Sequence, residues 1–135
     1  MNSMDEIKNC IQEFNDLYPR PGMGKIEINE IYDLKTHWNK SYESWMKSGV
    51  YFLLDENHLL LYVGVSVNIG GRWQSYVKYA DDGVGYTIVD SRFPNLRYLL
   101  AIFLPEGHEF ESGAIEYYFI GKLNPPVNVH GKKSS

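Results

Sequence analysis

Two tyrosines eleven residues apart, Tyr51 and Tyr62, are followed at short range by Arg72 and Tyr76 and at long range by the carboxylate of Glu116. The tyrosines stand in short tripeptides, Gly49-Val50-Tyr51 and Tyr62-Val63-Gly64, and the run closes on Asn124-Pro125-Pro126-Val127-Asn128. A phenol can orient water or accept its proton, and a guanidinium can neutralise charge building on non-bridging phosphate oxygens. A lone hard carboxylate suits Mg²⁺ or Mn²⁺, which keeps waters and borrows oxygens from a substrate. Together these residue types are what hydrolysis of a phosphodiester with one metal ion requires.

The elements that must position them can be read from pattern. Val50 to Leu54 and Leu59 to Val63 are apolar, strand-like runs joined by Asp55-Glu56-Asn57-His58, which predicts a β-hairpin. Tyr51 and Tyr62 then lie on adjacent strands, where hydroxyls on one face reach one phosphate. Ser66 or, better, Asn68 caps a helix running to about Tyr79, ended by Asp81-Asp82-Gly83. Arg72 and Tyr76, at i and i+4, would point into one cleft. A polar stretch from Ala80 to Asn95, with a β-like piece at Tyr86 to Val89, is too long for a mere connector. Leu96 to Leu104 reads as a buried strand. Phe110 to Leu123 reads as a helix with Phe110, Ala114, Phe119 and Leu123 inward, stopped by Pro125-Pro126. Upstream, Ser3 and Glu6 form a capping box for a helix from about residue 4 to 17, with Ile7, Cys10, Ile11, Phe14 and Leu17 on one face. Pro19, Pro21 and Gly22 break it. Lys25 to Tyr32 suits an edge strand or extended arm, and Thr36 to Lys47, with Trp38, Tyr42 and Trp45, a second helix.

The ordered set resembles the GIY-YIG endonuclease superfamily, in the variant form Gly-Val-Tyr and Tyr-Val-Gly, over about residues 48 to 130. Its specificity lies in the order: Arg72 ten residues after Tyr62, Tyr76 four beyond, and Glu116 twelve before Asn128. The resemblance implies an α/β (α+β) fold with a small, mainly antiparallel three-stranded central sheet flanked by helices. Residues 1–47 would be an N-terminal helical extension packed on the domain, and 131–135 a basic tail. It implies a metal-dependent DNA endonuclease with one Mg²⁺ or Mn²⁺ on Glu116, which polarises the phosphate and stabilises the leaving 3′ oxygen, while Arg72 stabilises the transition state. Tyr62, with Tyr51 as rival, would activate the water. A free phenol has a pKa of ~10, so that role asks for nearby positive charge. Some relatives carry a lysine after the second motif glycine, where this chain has Val65. Tyr76 would position water or phosphate, and Gly49, Gly64, Ser66, Asn68 and Asn128 would support the site, Asn128 by bracing it through hydrogen bonds. Two alternatives remain open: a catalytically idle nucleic-acid-binding or interaction module, and a nuclease of RNA or branched DNA.

Bulk properties narrow the field. At 135 residues and 44% hydrophobic, the chain suits one soluble domain. It carries no run long enough to span a membrane and no signal-peptide pattern, so no membrane partner and a cytoplasmic location are expected. Cys10, the lone cysteine, excludes an internal disulfide and a cysteine zinc cluster. His37, His58, His108 and His130 lack zinc-site spacing, and Gly70-Gly71 lacks the lysine partner of a P-loop. A net charge of -4 disfavours extended phosphate binding. The available cations are local: Lys40, Lys47, Arg72, Lys78, Arg92, Arg97 and Lys132-Lys133. Glu106, Glu109 and Glu111 lack the spacing to Asn128 and read as surface charge. A small footprint asks for added elements or a homodimer to cut two strands. Deleting residues 1–47 is expected to change affinity or oligomeric state and to spare the active-site geometry.

Overall fold

A computed structural model describes residues 4–20, 24–29, 31–35, 45–79 and 86–128. In chain order its elements are α1 (Met4–Leu17), β1 (Tyr32–Asp33), β2 (Gly49–Asp55), β3 (Leu60–Ser66), α2 (Ile69–Gln74), β4 (Val77–Tyr79), β5 (Tyr86–Ile88), β6 (Leu96–Phe103), a 3₁₀ turn (Glu109–Glu111) and α3 (Ser112–Leu123). Among the described residues no helix is long and apolar enough to cross a membrane.

The main sheet is antiparallel in the order β1-β6-β2-β3. Three long strands form the expected centre, and the extension adds a fourth, two-residue strand along β6. The hairpin between β2 and β3 is fixed by Asp55, whose carboxylate accepts from the Asn57 and Leu59 amides. His58 takes a left-handed turn there, with φ 63°.

Strand periodicity sends alternate residues to opposite faces and so builds two cores. Val50, Phe52, Leu54, Val63, Leu100 and Ile102 pack under α1 and α3. Tyr51, Leu53, Leu99 and Ala101 face the other way, with Ile69 and Trp73 of α2 and with Tyr76 and Phe93. The first helix forms over the expected residues and buries Ile7, Cys10, Ile11 and Phe14, while Leu17 is exposed.

Two expectations need correction. The helix after Asn68 stops at Gln74 instead of reaching Tyr79. The Ser75 amide and hydroxyl both donate to the Arg72 carbonyl, the Tyr76 amide donates to Trp73, and Val77–Tyr79 pairs with Tyr86–Ile88. Arg72 and Tyr76 therefore do not share a helix. In α3 the buried stripe is Ser112, Ile115, Phe119, Ile120 and Leu123, whereas Phe110 is 80% exposed and Ala114 is exposed. Phe110 lies in the 3₁₀ turn before the helix, and Ala114, five residues before Phe119, is out of step with the i, i+3, i+4 stripe. Of the two readings of Lys25 to Tyr32, edge strand or extended arm, the described residues favour the arm: Asn29 donates to Ala101, and strand pairing begins at Tyr32. The capping residue Ser3, most of the helix expected at Thr36 to Lys47, and Asp81-Asp82-Gly83 lie outside the described residues.

Candidate active site

Tyr51 lies on the inner strand β2 opposite Gly64, and Tyr62 lies on β3 opposite Leu53. The register puts both tyrosines on the α2 face as diagonal neighbours, with ring centroids 6.1 Å apart. Gly64 is glycine for a steric reason. A methyl group there would stand 2.5 Å from Cζ and the hydroxyl of Tyr51 and 2.8 Å from Cε2 of Tyr62. At Gly49 a side chain would run into the backbone carbonyl of Ile102, so this glycine lets β6 lie close against β2.

Tyr76, just past the end of α2, brings its hydroxyl to 2.6 Å from that of Tyr51. Phe93 closes the group, its ring edge-on to Tyr62 at 5.5 Å and to Tyr76 at 5.3 Å. Burial pushes the Tyr51 phenol far above its ordinary range, reinforced by Tyr76 and opposed by the Arg72 charge. Burial also raises Tyr76, against the Tyr51 hydrogen bond and the charges of Arg72 and Arg92. Both phenols therefore stay protonated at neutral pH and spend their hydroxyls on each other. The Tyr62 hydroxyl is different: half-buried, it makes no hydrogen bond among the described residues.

Arg72 projects from α2 into solvent, and its guanidinium makes no hydrogen bond or ion pair among the described residues. Asn68 starts that helix, accepting from the Gly71 amide at 2.9 Å, and Ser66 braces the approach through the Asn68 amide and carbonyl. These two residues set where Arg72 points. Asn128 is 7% exposed and pairs twice with the backbone of Val63, accepting from its amide at 2.9 Å and donating to its carbonyl at 2.8 Å. It thereby holds the free edge of β3 beside Tyr62.

Glu116 comes from α3, on the other side of the sheet. Its position falls within the i, i+3, i+4, i+7 stripe that α3 otherwise buries through Ser112, Ile115, Phe119, Ile120 and Leu123. The half-buried carboxylate has no hydrogen bond or ion pair among the described residues, and burial alone raises its pKa. Two of the competing carboxylates have ordinary partners: Glu111 pairs with Arg20 and His108, and Glu109 accepts from the Gly107 amide. Arg97 grips Asp33 and ties β1 to β6.

The fold thus brings Tyr51, Tyr62 and Tyr76 into contact and sets the charge of Arg72 beside them. Glu116 touches none of the four, and approaches from the α3 side. Sequence reasoning missed Phe93 as the ring that joins Tyr62 to Tyr76. A cavity of about 680 Å³ between α1 and α3, lined by Phe14, Tyr18, Phe110 and Tyr117, contains none of these groups.

An antiparallel sheet with paired tyrosines on adjacent strands, an arginine on the next helix and a carboxylate on the last is the layout of a small nuclease-type domain. The family model for the GIY-YIG catalytic domain matches residues 47–129, well over half of the chain, and the protein belongs to this family. GIY-YIG domains are generally endonucleases that act on nucleic acid with divalent metal ions. No curated protein matches the chain.

The residues present fit a single such ion. No three of His, Cys, Asp and Glu gather at one point among the described residues. An unpartnered carboxylate in a partly dry setting is a hard donor with its lone pairs free, and water and substrate oxygens can complete the shell.

Proposed function

We propose that this protein is a metal-dependent endonuclease that hydrolyses DNA phosphodiester bonds, with one Mg²⁺ or Mn²⁺ held by Glu116. One observation carries the reading: the two charged residues of the set, Arg72 and Glu116, have no protein partner among the described residues. An unpaired, half-buried carboxylate costs stability and is kept where it has a task.

A bound divalent ion would draw charge from the phosphate and stabilise the leaving 3′ oxygen. Arg72 would bind the non-bridging oxygens and neutralise charge that grows as water attacks phosphorus. Tyr62, whose hydroxyl makes no hydrogen bond among the described residues, would orient that water and, as the phenolate, take its proton. Tyr51 is disfavoured for this role because burial and the Tyr76 bond keep it neutral. Tyr76 would fix Tyr51, and the pair would fix the wall against which Tyr62 packs.

The test is cleavage of supercoiled plasmid and labelled duplex with Mg²⁺ or Mn²⁺, comparing wild type with Glu116→Ala and Arg72→Ala. Each variant should lose about 100-fold or more in rate while remaining folded. Variants that cut as well as wild type, or a wild type inert on duplex, single-stranded and branched DNA and on RNA, would overturn the catalytic reading. Cutting confined to RNA or branched DNA would replace the substrate.

A further inference from the structure

Among the described cations, Arg92 is the one the fold fixes against the tyrosine cluster. Asp90 holds it in a fork: Nε donates to one carboxylate oxygen at 3.1 Å and Nη2 to the other at 2.8 Å, while the Arg92 amide also donates to Asp90. The guanidinium lies 4.9 Å from the ring centroid of Phe93 and 5.7 Å from that of Tyr62. Phe93 is fully buried, so the platform beneath the cation does not move easily. The Arg92 side chain is nevertheless 53% exposed, and its third nitrogen, Nη1, has no partner among the described residues.

A carboxylate that grips two nitrogens and two rings that carry the planar face leave one donor edge free and pre-set in orientation. The charges of Arg72 and Arg92 both act on Tyr76, so both guanidiniums stand near this phenol. Arg97 has a similar fork to Asp33, but that pair is more buried and joins two strands away from the cluster. Lys47 lies over Phe103, 5.4 Å from its ring centroid.

We propose that Arg92 is a second phosphate-binding residue of the site, whose free edge grips the sugar-phosphate backbone of the strand that Arg72 engages. This rests on the nuclease reading. In a protein of net charge -4, binding then depends on a few placed cations, so the loss of one is measurable. Asp90 offsets part of the Arg92 charge, but the Nη1 donors remain for a phosphate oxygen.

The experiment is fluorescence anisotropy of a labelled DNA duplex in EDTA, where cleavage is blocked, across a series of salt concentrations. Wild type is compared with Arg92→Gln, Arg92→Lys and, as a matched charge change on exposed α1, Lys8→Gln. Arg92→Gln should weaken binding about three- to tenfold at low salt and flatten the log Kd against log salt slope by about one. Arg92→Lys should keep the slope, and Lys8→Gln should match wild type. An unchanged slope in Arg92→Gln, or an equal loss in Lys8→Gln, overturns the proposal even if wild type cuts DNA. A slope that falls as expected in a protein that cuts nothing keeps Arg92 as a phosphate ligand and removes the catalytic reading. A wild type that binds no nucleic acid overturns both.

Discussion

Glu116 interrupts the apolar stripe of α3, and burial lifts its carboxyl above the ordinary value of 4.5. The folded state therefore holds the proton more tightly than the unfolded chain. As pH rises past that ordinary value the unfolded state ionises first, stability falls through the window up to the folded value, and the penalty is then constant. Glu116→Gln has no such cost. Without metal it should melt a few degrees above wild type at pH 7 and level with it at about pH 4, and Mg²⁺ should raise the midpoint of wild type only. Thermal melts at the two pH values check this, and a variant less stable than wild type at pH 7 would show that the carboxylate is paired. At this scale Tyr51, Tyr62 and Arg72 were legible through their order alone. The sequence hid the place of Glu116 in the stripe, because Phe110 and Ala114 suggest a different inward face: Phe110 lies in the 3₁₀ turn, and Ala114 is out of step with Phe119 and Leu123. It also left Arg92 one cation among several, since its value lies in rings that belong to other segments.

The element most exposed to loss is β3, an edge strand that carries Tyr62 and Gly64 and has a partner on only one side. Asn128 imitates that missing neighbour by taking both the amide and the carbonyl of Val63. Val127 adds its own amide to the Leu61 carbonyl at 3.0 Å. Asn128→Ala leaves two fully buried backbone groups at Val63 unsatisfied, at a cost of about 2–4 kcal/mol. A lowered urea midpoint and faster hydrogen exchange at the Val63 amide are expected, together with slower cleavage because Tyr62 loses its fixed position. An unchanged midpoint would mean that water replaces the amide freely. The hairpin and β6 were legible because strands with a buried face need alternation and tight turns. The short α2 was not: Arg72 and Tyr76 have helical spacing, and the competing signal, Val77 and Tyr79 seeking a pleated partner, is answered by residues far along the chain.

For the whole molecule, the described residues of the extension are part of the core, which argues for a larger effect of its removal than a change in affinity or oligomeric state. Ile7, Cys10, Ile11, Phe14 and Ile26 are buried in the same cluster as Val50, Phe52 and Ile102, and Asn15 binds both the amide and the carbonyl of Ile26. Tyr32 and Leu34 enter the opposite core, beside Trp73 and Tyr51, and β1 covers the outer edge of β6. Each large buried side chain contributes roughly 1.5–3 kcal/mol, against about 5–15 kcal/mol for the net stability of a domain. Deleting residues 1–47 therefore removes more burial than the remainder can spare, and it also uncovers the edge of β6, a template for aggregation. A chain of residues 48–135 should show no cooperative melt and little near-ultraviolet circular dichroism, and it should lose cleavage because Tyr51 and Trp73 lose their packing, with every motif residue still present. A cooperative transition with native near-ultraviolet signal would restore the extension to an accessory role, and changes in affinity or oligomeric state could then be assigned to it directly.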